Sequence, residues 1–298
     1  MIKICALILV LILNFASLSY ANGYKGYEDY YIKLNNDLKM PMLGLGTWTL
    51  DNQEAERAVY HAIKTGYRLI DTAQYYNNER GVGLAVRNAI NDKLVTREEI
   101  FITSKIMPGN YNNADEAINQ SLKTLGLDYI DLMLIHQPGY NDKEVYKALE
   151  RAVKAKKIKA LGISNYYTPK EFERIVKDAE IMPAVIQNEN HIYFNNLKLK
   201  DYVSKYKIAV EAWYPFGGRG HTRESFNNET IKRIAKAHNK TAAQVILRWQ
   251  IQCGFIVIPG SSNNEHISEN FNIFDFELDD KEMNDIVKLN RNARYENW

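Results

Sequence analysis

From Met42 to Ser261 the chain repeats one hydropathy pattern: a short apolar, β-branched run, then a longer stretch with apolar positions three and four apart. The short runs are MLGLGTW (42–48), YRLIDTA (67–73), EIFITSK (99–105), YIDLMLIH (129–136), IKALGISN (158–165), AVIQNE (184–189), IAVEAWYP (208–215) and FIVIPGS (255–261). Runs of this length and composition read as buried strands. The longer stretches read as helices. QEAERAVYHAIKTG sets Ala55, Val59, Ala62 and Ile63 on one face, and KEVYKALERAVKAKK does the same with Val145, Leu149 and Val153. ADEAINQSLKTLG aligns Ile118, Leu122 and Leu125, with Gly126 placed to end the helix. Eight strand–helix alternations in about 250 residues predict a closed (β/α)8 barrel of the TIM type. The alternative is an open doubly wound sheet. GLGTW (44–48) argues against it, because it lacks the third glycine of GxGxxG and does not open into a helix. Ahead of the first barrel strand, YYIKLNNDLKMPM reads as two β segments around Asn35-Asn36-Asp37, an N-terminal β-hairpin suited to plug the barrel bottom.

The first residues change the picture of where the chain acts. MIKICALILVLILNFASLSYA carries a lone Lys3, an apolar core from Ile4 to Leu13, and small residues Ser19 and Ala21 before Asn22. That order is a secretory signal peptide over residues 1–21, with an uncleaved anchor as the alternative. The apolar run falls short of the roughly 20 residues that span a bilayer. Residues 22–298 then form a single domain. The expected location is secreted or periplasmic, and cytoplasmic if the segment does not act as a leader. Net charge is +2, or +1 once Lys3 is lost. No basic stripe marks a nucleic-acid or membrane partner. Cys5 belongs to the leader, so Cys253 has no internal disulfide partner. No His/Cys spacing points to zinc.

In a barrel of this kind, chemistry sits at the C-terminal strand ends. Those ends present Thr47 and Trp48, Asp71, Lys105, His136, Ser164 and Asn165, Gln187, Trp213 and Ser261. Closure brings Asp71, Lys105 and His136, from successive strands, side by side. A buried Asp71–Lys105 pair would pull a neighbouring tyrosine pKa down from near 10, toward a general acid for a carbonyl oxygen. His136 would orient that oxygen. Such a site protonates but supplies no electrons, so a hydride donor is implied. Ser164, Asn165 and Gln187 suit a carboxamide, and Trp213 suits a flat ring. Asp71 and Glu189 are the only acids at these strand ends, which leaves no carboxylate pair for a cofactor-free hydrolase.

Over residues 30–295 the chain resembles the aldo-keto reductases. The resemblance rests on MPMLGLGTW (40–48), GYRLIDTAQYYNNERGVG (66–83), ITSK (102–105), SLKTLGLDYIDLMLIHQP (121–138), IKALGISN (158–165), AWYPFG (212–217) and ENFNIFDFEL (269–278). It implies the barrel fold and reduction of aldehydes and ketones to alcohols with NAD(P)H. It places the family's catalytic tetrad on Asp71, Tyr76, Lys105 and His136. Of the adjacent tyrosines in DTAQYYNNER, Tyr76 is then the acid and Tyr75 a packing or solvent-facing neighbour. The implied cofactor contacts are Gly46, Thr47, Asp71, Ser164, Asn165, Gln187, Trp213, Pro215, Phe216, Gly217, Gly260, Ser261, Ser262, His266, Glu269 and Asn270. Trp48, His136 and Gln137 would meet the substrate.

The chain departs from the family pattern in three places. Gly260 and His266 stand where the family's phosphate-binding Lys and Arg usually do, which weakens the preference for NADP(H) and admits NAD(H). Hydrogen bonds from Ser261, Ser262 and Asn263, or Arg219 from a loop, would compensate. Tyr214 and Phe216 occupy a segment usually written Ser-Pro-Leu, and Gln137 replaces a common Trp. The tail after Leu289 is short, so no large substrate loop is expected and the pocket should admit varied small carbonyls. The expected protein is a monomeric reductase; the rival reading is a non-catalytic, cofactor-binding regulatory barrel.

Overall fold

The computed structural model describes residues 30–296, so the expected leader, residues 1–21, lies outside the described residues. The chain opens with an antiparallel hairpin, β1 (Tyr31–Lys33) and β2 (Lys39–Pro41), turned at Asp37 with φ +67°. Leu34 and Met40 from this hairpin pack with Leu69, Phe101, Leu132 and Ile256 inside the barrel. The Asn35 and Asn36 amides donate to the Pro183 and Lys159 carbonyls near the starts of two barrel strands. The hairpin therefore closes the bottom, as the sequence predicts.

All eight expected strands form, each parallel to the next. They are β3 (Leu45–Gly46), β4 (Leu69–Asp71), β5 (Phe101–Ile106), β6 (Ile130–Ile135), β7 (Ile158–Ser164), β8 (Val185–Glu189), β9 (Ala209–Trp213) and β10 (Ile256–Val257). The sheet closes on itself at the β3–β10 seam through parallel bridges Leu43–Val257 and Gly46–Gly260. Gly44 and Val257 donate across it to Val257 and Met42 at 2.9 and 2.8 Å.

Helices α1 (Asn52–Thr65), α2 (Glu79–Asn91), α3 (Ala114–Leu125), α4 (Asp142–Lys154), α5 (Pro169–Val176) and α6 (Leu197–Ser204) connect β3 through β9. Asp51 caps α1 in a reciprocal box with Glu54, and Gly126 ends α3 at φ +64°. Gly83 on α2 lets α3 approach closely: a Cβ there would lie 1.9 Å from the Leu125 carbonyl oxygen. Three helices, α7 (Thr222–Asn227), α8 (Glu229–His238) and α9 (Ala242–Gln252), stand between β9 and β10 where the alternation predicts one. Past β10 run α10 (Asn264–Phe271) and α11 (Asp280–Val287). The main apolar core lies between helices and sheet; the barrel interior forms a second, smaller one.

Candidate active site

Side chains alternate along a strand, so the residues sharing the inner face with core positions are set by parity. Above Leu69 comes Asp71, above Thr103 comes Lys105, above Leu134 comes His136, and above Ala209 come Glu211 and Trp213. The lower members of these series, Thr103 apart, are apolar and fill the barrel; the upper ones carry polar groups. At the C-terminal mouth they meet a cavity of about 930 Å³.

A 3₁₀ turn, Gln74–Tyr76, follows β4 and carries Tyr76 over the mouth. Gln74 pins the turn: its amide nitrogen donates to Ala117 O and Ser121 Oγ at 2.9 Å, and its oxygen accepts from Met107 N and Asn110 Nδ2. Beneath Tyr76 lies Lys105, fully buried. Its ammonium has three N–H groups, and the chain supplies three acceptors: Asp71 Oδ1 at 2.6 Å, Thr72 O at 3.0 Å and Tyr76 Oη at 3.0 Å. Because Tyr76 Oη accepts from Lys105, its own O–H proton is free to donate elsewhere. The His136 ring meets the Tyr76 ring edge-on at 5.7 Å. His136 Nδ1 is buried and bonds to no protein group.

The electrostatics correct one expectation. Burial outweighs the Lys105 ammonium and pushes Tyr76 up to about 12, so the phenol is held protonated rather than tuned toward neutrality. Burial and the Lys105 charge lower His136 to about 3, leaving a neutral imidazole. Burial opposes the charge on Lys105, but Asp71 and Tyr76 together hold its pKa above the ordinary value. Burial also pushes Asp71 upward, against Lys105 and Gln187. The lysine governs the pair: a cation locked 2.6 Å from Asp71 keeps that carboxylate ionised.

The cavity wall contains Gly46, Trp48, Asp71, Tyr76, His136, Gln137, Ser164, Asn165, Gln187, Trp213, Pro215, Phe216, Gly260, Ser261, Ser262 and His266, all expected from the sequence. Four expected cofactor residues stand off it. Thr47 is fully buried and donates to Asp71 O at 2.9 Å, so it braces the site from behind. Gly217, at φ +92°, makes a turn against His221 and Tyr295. Glu269 and Asn270 lie one turn farther along α10, where Glu269 accepts from Thr241 Oγ1 at 2.8 Å. Asn165, at φ +67°, lines the cavity with its amide fully engaged. It donates to His136 O at 2.9 Å and Ser164 Oγ at 3.3 Å, and accepts from Trp213 Nε1 and Tyr167 Oη.

Sequence reasoning missed several groups. Tyr75 is half-exposed and stacked on Trp48 at 5.6 Å, as a packing, solvent-facing neighbour would be, and it also lines the cavity. Both tyrosines of the pair border the mouth. Tyr214, at φ +52°, accepts from Trp48 Nε1 at 3.2 Å and links β3 and β9 sides of the opening. Glu189 does not serve the site; it accepts from the backbone N–H of Tyr295 and Glu296 and pairs with His191. The second acid near Asp71 is Glu211, whose parity with Trp213 was the available signal.

The family model for the aldo/keto reductase family matches residues 42–291. The chain belongs to the aldo/keto reductase family. It is 43% identical over 267 residues to a glyoxal reductase of Bacillus subtilis, covering 88% of this chain and 94% of that protein. It is 42% identical over 267 residues to a 9,11-endoperoxide prostaglandin H2 reductase of Trypanosoma cruzi, covering 88% and 92%. Among solved structures, a Bombyx mori aldo-keto reductase in complex with NADP superposes with a TM-score of 0.83 at 33% identity, over 89% of this chain and 94% of that one.

This aldo-keto reductase is an NAD(P)H-dependent carbonyl-reducing enzyme, and its donor set fits a nicotinamide cofactor. Ser164 and Gln187 offer polar groups beside the flat Trp213. Both N–H groups of Gln187 are engaged, to Asp71 Oδ2 and Glu211 Oε2 at 2.8 Å, so its oxygen is the group left for a ligand. The same groove continues past Arg219 to Ser261, Ser262, Asn263 and His266 at the start of α10. Facing glycines at the β3–β10 seam keep the groove open there; a Cβ on Gly260 would lie 3.1 Å from Gly46 O.

Proposed function

We propose that this enzyme reduces small aldehydes and ketones with Tyr76 as the proton donor. The observation that carries this reading is the locked Lys105: its three bonds orient the Tyr76 oxygen and leave the phenolic proton facing the cavity. A bound nicotinamide cofactor supplies the hydride. Tyr76 holds its proton across the whole working range and donates it as the substrate oxygen gains charge. The Lys105 ammonium, 3.0 Å away, stabilises the phenolate left behind, and Asp71 keeps that ammonium in place. Neutral His136 orients the carbonyl oxygen. Trp48, Tyr75 and Tyr214 wall the entrance with aromatic surface, which excludes water from the reacting atoms. Among the described residues, none after Leu289 lines the cavity, which supports small and varied substrates.

The proposed cofactor preference is NADPH with substantial NADH use. Among the described residues lining the cavity, Arg219 is the one permanent cation, while Gly260 and His266 replace the fixed charges the family pattern supplies. The reading also places the enzyme outside the cytoplasm, supported by the leader-like pattern of residues 1–21. Among the described residues no helix is long and apolar enough to cross a membrane.

The test joins turnover to binding. Tyr76→Phe should abolish reduction of a test aldehyde while NADPH still quenches tryptophan fluorescence; wild-type turnover in that variant sinks the assignment. Titrating NADPH and NADH separately reads the phosphate preference. Cofactor binding by the wild type with no reduction across an aldehyde panel would favour the regulatory reading.

A further inference from the structure

Glu211 is a fully buried acid that the tetrad does not use. It lies on β9 in register with Gln187 on β8 and with Ile256 on β10. Gln187 divides its amide between two carboxyls, donating 2.8 Å to Asp71 Oδ2 and 2.8 Å to Glu211 Oε2. The nearest cation, Lys105, has every donor engaged by Asp71, Thr72 and Tyr76, so none remains for Glu211. Glu211 Oε1 is buried and bonds to nothing in the protein. Two anions sharing one amide in a dry barrel, with one cation already committed, cannot both ionise cheaply.

We infer that Glu211 is a positioning residue that carries a proton on Oε1 when the enzyme is active and, through Gln187, keeps the Asp71–Lys105–Tyr76 group free of excess negative charge. A protonated Oε1 preserves Oε2 as the acceptor Gln187 needs. With Glu211 neutral, the buried set of Asp71 and Lys105 sums to zero charge, and the phenolate that forms as Tyr76 gives up its proton is stabilised by Lys105 alone. With Glu211 ionised, the set is anionic before the reaction begins, and a phenolate at Tyr76 adds like charge to it. The only bond that changes at Glu211 is its O–H, whose proton leaves to solvent at alkaline pH.

The charged and titratable groups facing Glu211 are Asp71 from β4, Lys105 from β5 and Tyr76 from the 3₁₀ turn; β8 and β10 present the uncharged Gln187 and Ile256. Burial, then the Asp71 charge, push the Glu211 carboxyl up to about 8, and the Glu211 charge is among the causes that raise Tyr76. The device is therefore poised to lose its proton just above neutrality, well before Tyr76 does.

This inference rests on the reading of Tyr76 as the acid, and the two can fail separately. The wild type should lose roughly tenfold in kcat for aldehyde reduction between pH 7 and pH 9.5, whereas the ratio for Glu211→Gln, an isostere that cannot ionise, should stay within about twofold. Infrared difference spectra of the wild type should show a protonated carboxylic-acid carbonyl band at pH 7 that is lost at pH 9.5 and is missing from Glu211→Gln. An equal alkaline fall in both proteins overturns the inference. So does a wild-type spectrum without that band at pH 7, a measurement that does not depend on the variant folding. Turnover in Tyr76→Phe would overturn the underlying reading instead.

Discussion

The two ends of the groove are built in opposite ways. At the catalytic end, Lys105 and Asp71 are fully buried and every donor of the lysine is engaged. At the far end, Gly260, Ser262, Asn263 and His266 are exposed, and no Lys or Arg belongs to β10 or the start of α10. The catalytic end is preorganised, so a developing charge meets dipoles already in place. The far end can meet a phosphate with hydroxyls, backbone N–H groups, the Asn263 amide, the His266 ring and Arg219, in contact with water that weakens each interaction. Chemistry should therefore tolerate almost no change, and cofactor choice should be easy to move.

The largest expected effect tests the first half of that contrast. Tyr76→Phe removes the proposed proton donor and should lower kcat by about 10²–10⁴-fold in steady-state assays, with NADPH quenching retained. Lys105→Met should leave Asp71 as an unpaired buried charge and cost about 3–5 kcal/mol in denaturant unfolding, besides abolishing turnover. If the variant unfolds at the wild-type midpoint, the buried pair does not hold this end together.

Titration gives a third break point. Glu211 is raised from 4.5 to about 8, so between those pH values the folded chain holds one proton that the unfolded chain has released. Stability from this group is fully present below pH 4.5, falls as pH rises through the window, and levels off above about 8, a loss on the order of a few kcal/mol. Unfolding midpoints of the wild type should decline over that range relative to Glu211→Gln. The smallest effect sharpens the other half of the comparison. Gly260→Lys with His266→Arg should tighten NADPH about tenfold with little change for NADH, read by fluorescence titration. Equal gains for both cofactors would place the phosphate elsewhere.

Much of this was legible in the chain because strand parity and strand-end position are local properties. The eight runs, the hairpin around Asn35-Asn36-Asp37 and the set Asp71, Lys105, His136 and Trp213 follow from apolar alternation alone. Tyr75 is the packing, solvent-facing neighbour expected, half-exposed and stacked on Trp48; that it also borders the cavity was not legible, because a residue just past a strand obeys no period of two. Glu269 and Asn270 were placed in the cofactor site by resemblance; on α10 they lie beyond the residues that line the cavity.

By itself, then, the sequence determined the barrel, the order of its strands and which residues reach its mouth, since side-chain period and burial are written in the hydropathy of each segment. Tertiary structure alone decided the charges. How deeply Tyr76 is buried, whether Lys105 has a donor left for Glu211, and which carboxyl Gln187 serves depend on groups from four separate strands. Only closure of the barrel sets those distances and removes the water around them, and it is the loss of that water which keeps Tyr76 protonated beside a cation.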